Sequence, residues 1–147
     1  MNDIAVPNST KQQSPHLTAT SPEGVVRAMF EAARVGDVVA FDRCWTDDAV
    51  WHNMPIKPVH TRTEIVSKWM PLLKKPGSFR VEYLNVVASG SIVMTERLDY
   101  IEIRGLKVVA PVAGVFEIRD GKIAANREYW DLVSGTVDMV RRTIFGP

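Results

Sequence analysis

The sequence predicts a single α+β domain: three helices in the N-terminal half, packed on a curved antiparallel sheet, together shaped as a cone. Three observations lead there. Apolar residues at helical spacing, with capping residues at the right ends, are confined to residues 21–73. From residue 79 the pattern turns to runs rich in Val, Ile, Thr and Tyr. Short Gly-bearing segments separate those runs and favour hairpins between neighbours. The chain has 147 residues, 46% hydrophobic and 24% charged, enough for one core without staples.

Residues 1–20 are polar, rich in Ser, Thr, Gln and Pro, and lack a period, so they are expected to be a flexible arm outside a domain over 21–147. Ser21-Pro22 then starts a helix, with a hydroxyl cap and Pro at the first helical position. Val25, Val26, Met29, Phe30 and Ala33 recur at helical spacing until Gly36. Asp37 caps a second helix, expected to carry Phe41, Cys44 and Trp45 on one side. A brief strand is predicted at 50–54, stopped by Pro55 and Pro58, with His60 in a loop. Thr61-Arg62-Thr63-Glu64 matches a capping box, so a third helix runs from Thr61 to Leu73. Four strands follow, at 79–88, 92–103, 107–118 and 123–130. The turn Arg119-Asp120-Gly121-Lys122 contains Asp-Gly, a strong hairpin signal. The apolar tail from residue 132, with Arg141 and Arg142, reads as a last short helix or an interface segment.

The composition narrows the function. Eighteen basic against seventeen acidic side chains, with no dense basic run, argue against a nucleic-acid binder. Cys44 is the one cysteine, so there is neither an internal disulfide nor a thiolate-rich metal site. The three histidines, His16, His52 and His60, are not at ligand spacing, and no metal site is expected. No stretch approaches the about 20 apolar residues of a membrane span. The N-terminus lacks a signal peptide's basic start and apolar run, so a cytoplasmic enzyme acting off the membrane is expected. A Gly-rich phosphate loop is likewise missing.

Strand phase locates the candidate chemistry. Alternation puts Val93, Thr95, Arg97, Asp99 and Ile101 on one face, and Ala124, Asn126, Glu128 and Trp130 on one face of the last strand. Trp51 and Asn53 share a face opposite His52. If these faces meet in an interior, Arg97 would stand between Asp99 and Glu128, bonded to each through its fork. Two carboxyls so close cannot both ionise easily, which makes a general acid and a general base available at neutral pH. An Arg-x-Asp pair on a strand is also common as a solvent-facing ion pair, and spacing alone leaves both readings open.

Several segments together resemble the limonene-1,2-epoxide hydrolase family: Thr95-Glu96-Arg97-Leu98-Asp99, Val112-Ala113-Gly114-Val115-Phe116-Glu117-Ile118, Asp120-Gly121-Lys122-Ile123 and Arg127-Glu128-Tyr129-Trp130-Asp131. Trp51-His52-Asn53-Met54-Pro55 resembles that family's Tyr-x-Asn-Met-Pro strand, and the likeness spans roughly residues 21–131. The resemblance implies the cone of nuclear transport factor two and ketosteroid isomerase, usually a homodimer. It implies cofactor-free, one-step hydrolysis of an epoxide to a vicinal diol. Carried over, Asp99 is the general acid, Arg97 the bridge, Glu128 the base and Asn53 a ligand of the attacking water. Three positions depart from the family pattern. Glu128 stands for an Asp, Trp51 for the Tyr that helps hold the water, and Asn126 for a Trp.

The substrate expected is a small hydrophobic epoxide in an apolar pocket. Trp51, Met54, Trp69, Leu72, Leu73, Val93, Ile101, Val112, Gly114, Asn126 and Trp130 are the candidate lining. Two other functions fit the same fold: an isomerase or polyketide-cyclase-like enzyme moving protons on a carbonyl substrate, and a non-catalytic binder of hydrophobic ligands.

Overall fold

A computed structural model describes residues 20–131. Helix α1 (Pro22–Val35) begins as the sequence predicts: Ser21 Oγ accepts from Gly24 N at 3.0 Å, with Pro22 in the first turn. It ends at Gly36, whose φ of 75° is the left-handed region that favours glycine. A Cβ at Gly36 would come within 2.7 Å of Leu73 O and 2.9 Å of Pro76 Cγ. Glycine therefore lets the end of α1 close against the end of the third helix.

Helix α2 (Val38–Arg43) is shorter than its apolar spacing suggests. The expectation that Cys44 and Trp45 continue it is corrected: Cys44 is the C-cap, and Trp45 opens strand β1 (Trp45–Met54). Ladder pairing wins over local helical spacing here. Trp45 is the Cα partner of Ile123, and Ile123 N donates to Cys44 O at 2.8 Å. The strand thus has ten residues rather than the five predicted, its start masked by the polar Thr46-Asp47-Asp48. His60, expected in a loop, belongs instead to strand β2 (Val59–His60), which pairs antiparallel with β1, Val50 opposite His60 and Trp51 opposite Val59.

Helix α3 (Arg62–Leu73) is capped by Thr61, whose Oγ1 accepts from Glu64 N at 3.4 Å. Strands β3 (Phe79–Ser89), β4 (Ile92–Ile103), β5 (Leu106–Arg119) and β6 (Lys122–Trp130) form the expected meander, each within one or two residues of prediction. The sheet order is β2-β1-β6-β5-β4-β3, curved and unclosed, with β2 and β3 at its edges. Hairpin reasoning does not reach one feature: β1 returns to pair parallel with β6, which places Asn53 opposite Glu128.

The helices pack on the concave face. Val26, Met29 and Phe30 of α1, Phe41 of α2, and Ile65, Trp69 and Leu73 of α3 meet Trp45, Phe79, Val93, Phe116 and Ile123 of the sheet. Burying each such large apolar side chain contributes about 1.5–3 kcal/mol. Simple alternation puts Ile123 on the face opposite Asn126 and Glu128, yet Ile123 is fully buried beside them. Between Glu117 and Ile118 the pairing shifts from Ala125 to Ile123, so Ala124 is an extra, unpaired residue that reverses the phase. The predicted arm, apart from Thr20, and the apolar tail from residue 132 lie outside the described residues. Among the described residues no helix is long and apolar enough to cross a membrane.

Candidate active site

Arg97, Asp99 and Glu128 all point inward and are at most 2% exposed. Arg97 Nε donates to Asp99 Oδ1 at 2.7 Å and Nη2 to Asp99 Oδ2 at 3.1 Å. Nη2 also donates to Glu128 Oε1 at 2.5 Å. The remaining arm, Nη1, donates to Thr95 Oγ1 at 2.9 Å. Both carboxylates are therefore held by one guanidinium, as strand phase suggests, and the solvent-facing reading of the Arg-x-Asp pair is excluded.

The contact needs a gap in the sheet. Arg97 is on β4 and Glu128 on β6, with β5 between them. At about 4.8 Å per strand the reach is near 10 Å. Gly114 is the β5 residue paired with both Thr95 and Glu128, and its missing side chain leaves the path open. A Cβ there would stand 2.5 Å from Arg97 Nη1 and 2.9 Å from Thr95 Oγ1. Gly114 is therefore the floor under the arginine rather than pocket lining. Above, Phe30 of α1 puts its ring centroid 4.6 Å from Arg97 Cζ, and Phe116 lies at 6.0 Å. A cation over an aromatic face is attracted by the ring's quadrupole.

Burial raises the Asp99 pKa to about 6, the Glu128 charge pushes the same way, and Arg97 opposes both. Burial also works against the charge on Arg97, but Glu128 and Asp99 outweigh it and hold the guanidinium above its ordinary pKa. One acid of the pair thus keeps its proton up to about pH 6, well above the ordinary carboxylate range, while a permanent cation orients it. Such a cluster can give a proton on one side and take one on the other.

A cavity of about 130 Å³ opens beside the cluster, lined by Trp51, Asn53, Lys68, Trp69, Leu72, Phe79, Asp99, Ile101, Ile103, Glu128 and Trp130. Of the lining predicted from sequence, Trp51, Trp69, Leu72, Ile101 and Trp130 are in place. Six others do not line it. Leu73 and Val93 are spent in the helix–sheet core. Met54 has the opposite phase to Trp51 and Asn53 and pairs with Tyr129 on the outer face. Val112 is buried on β5 as the Cα partner of both Arg97 and Trp130. Asn126 is buried and donates through Nδ2 to Val115 O at 3.4 Å. Gly114 is the floor already described.

Lys68, Phe79 and Ile103 were missed as lining. Phe79 shares strand phase with Val81 and Tyr83, and Ile103 with Asp99 and Ile101, a signal present in the alternation. Lys68 reaches the mouth from one helix turn and has no comparable signal. Thr95 stood in the right phase but was not read as a partner of Arg97.

Residues 26–126 match the SnoaL-like domain family. The chain is 32% identical over 124 residues to epoxide hydrolase EphG of Mycobacterium tuberculosis, covering 79% of this chain and 83% of that protein. Among solved structures, a limonene-epoxide-hydrolase-like epoxide hydrolase from M. tuberculosis superposes with a TM-score of 0.72 at 28% identity, covering 82% of this chain and 85% of that one. An NTF2-like protein of unknown function from Cytophaga hutchinsonii shares the fold alone, with a TM-score of 0.65 at 11% identity over 78% and 93% of the two chains.

Proposed function

The chain belongs to the SnoaL-like domain family, and from that premise we propose that it hydrolyses a small hydrophobic epoxide to a vicinal diol by direct, acid–base-assisted attack of water. At family level it is an epoxide hydrolase. The observation that carries the mechanism is Arg97 bonded to both Asp99 and Glu128, two buried carboxyls that line the same cavity.

In the proposed step Glu128 takes a proton from water as its oxygen attacks one epoxide carbon. The ring C–O bond breaks, and Asp99 gives its proton to the departing oxygen. The proton on Glu128 then returns to Asp99 through solvent. Arg97 takes no bond from the substrate; it orients both acids, and it leaves Glu128 Oε2 outside its fork. Asn53, the Cα partner of Glu128, has a buried Oδ1 without a partner, suited to accept the second proton of the water. Trp51 Nε1 is also without a partner and can only donate, so it serves a lone pair of the water rather than a proton. Each general acid or base is typically worth about 10²–10⁴ in rate. Asp99→Asn and Glu128→Gln are each expected to lose epoxide turnover by that factor, measured as kcat on a panel of cyclic epoxides. Undiminished turnover in both variants would remove these residues from the chemistry.

The second copy of a homodimer is proposed to cover the outer face of the sheet. There Val87, Met94 and Val115 are Cα partners across three strands, and Val87 and Met94 are 63% and 54% exposed. Apolar rows of that kind favour association.

A further inference from the structure

Three indoles, Trp51, Trp69 and Trp130, stand in the wall of the cavity beside the two acids. The Nε1 of each is buried and meets no acceptor among the described residues. Seven buried side-chain atoms there lack a hydrogen-bond partner, and four of them, the three indole nitrogens and Asn53 Oδ1, belong to residues of this one wall. Indole N–H groups usually find an acceptor when buried.

The hydrolysis proposed above uses Asn53 and Trp51 to hold water. It leaves the donors of Trp69 and Trp130 unused. Trp69 is 6% exposed, fixed edge-on to Phe79 with centroids 5.1 Å apart and beside Trp51 at 5.8 Å. Trp130 ends β6, two residues beyond Glu128 on the same face. The epoxide oxygen has two lone pairs and Asp99 takes one, so it can serve at most one of these two donors and leaves the other without an acceptor. Leu72, Phe79 and Ile101 supply the apolar remainder of the wall.

We infer that the substrate is an oxygenated epoxide: an apolar skeleton carrying, apart from the epoxide, at least one acceptor oxygen such as a ketone or ester carbonyl. That oxygen takes the N–H of Trp69 or Trp130. The inference rests on the epoxide-hydrolase reading and narrows its substrate class. Indoles donate and do not accept, so the site favours a carbonyl over an apolar group of the same shape. It gives nothing to a substituent that can only donate.

The test uses an isosteric pair, 4-acetyl- and 4-isopropyl-1,2-epoxycyclohexane, in which a carbonyl oxygen replaces a methyl group. Trp69→Phe and Trp130→Phe keep an aromatic ring and remove the donor. In at least one of them the ketone-to-hydrocarbon ratio of kcat/KM is expected to fall about tenfold from the wild-type ratio, as for the loss of one net hydrogen bond. The ratio cancels any general damage to the pocket. An unchanged ratio in both variants overturns the inference. If Trp69→Phe does not fold, the wild-type ratio decides beside Trp130→Phe: a wild-type protein that does not prefer the ketone over the hydrocarbon overturns the inference. Binding of the inert pair acetylcyclohexane and isopropylcyclohexane, followed by tryptophan fluorescence, reads the same ratio without turnover. Failure to open any epoxide with the binding preference intact counts against hydrolysis, whereas turnover without the preference counts against the acceptor.

Discussion

At the scale of single residues, the chemistry follows from where one positive charge is placed. Arg97 has five N–H donors, and the structure assigns its three nitrogens to Asp99, Glu128 and Thr95 with none facing solvent. Asp99 takes two bonds from the fork and Glu128 takes one. Burial holds the Asp99 pKa at about 6, so the general acid is protonated below that pH and loses its proton above it. If proton donation by Asp99 is required, kcat/KM for epoxide opening should fall with increasing pH above about 6, approaching tenfold per unit, in a pH–rate profile. A rate flat to pH 9 would contradict the assignment. Stability carries the same sign. The folded pKa exceeds the ordinary carboxylate value, so this group's contribution is complete below about pH 4 and is lost as pH rises through about 6. In Asp99→Asn that part of the pH dependence of Tm should vanish.

At the scale of elements, β5 decides whether the cluster can assemble. Arg97 must cross it to reach Glu128, and Gly114 is where it crosses. Gly114→Ala would put a methyl group 2.5 Å from Nη1, with Phe116 Cε2 at 3.0 Å on another side. Overpacking of that kind costs about 1–3 kcal/mol, and a displacement near 1 Å at the reacting groups about 10² in rate. A loss of Tm together with a kcat deficit is expected; wild-type values for both would show that the arginine has room to move. The strands and the inward phase of Arg97, Asp99 and Glu128 were legible in the sequence, because alternation with Gly turns repeats over four strands. The meeting of Arg97 with both acids was expected from strand phase and the family resemblance, but Gly114 as the place where it happens was not legible, since that depends on the register of three strands at a glycine that looks like any other. Polar Thr46-Asp47-Asp48 masked the start of β1, and the extra Ala124 reversed the phase of Ile123. Both are set by pairing with a distant strand, which local pattern does not carry.

At the scale of the whole molecule, the sheet divides two tasks between its faces. The concave face holds the helices, the core and the buried acids, while the outer face leaves Val87, Met94, Val109 and Tyr129 between 42% and 63% exposed. If a second copy covers that face, Met94→Glu puts an unpaired charge into the apolar contact on both sides and should shift the protein toward monomer in sedimentation velocity. An unchanged association state would move the interface elsewhere. Because the cluster lies on the concave side, the monomer of that variant should keep its arginine-bridged acids. The separation of faces also explains why the family fold tolerates different chemistry: the side chains that meet in the cone change while the sheet and its packing persist.

Single-turnover hydrolysis in ¹⁸O-labelled water, with enzyme in excess over a cyclic epoxide, tests the bridged pair most directly. Direct attack by a water that Glu128 deprotonates predicts one labelled oxygen in the diol from the first turnover, and none incorporated into the protein. Unlabelled diol in that turnover, with label appearing in the Glu128 or Asp99 carboxyl, would mean that a carboxylate attacks the epoxide itself, and would contradict the account.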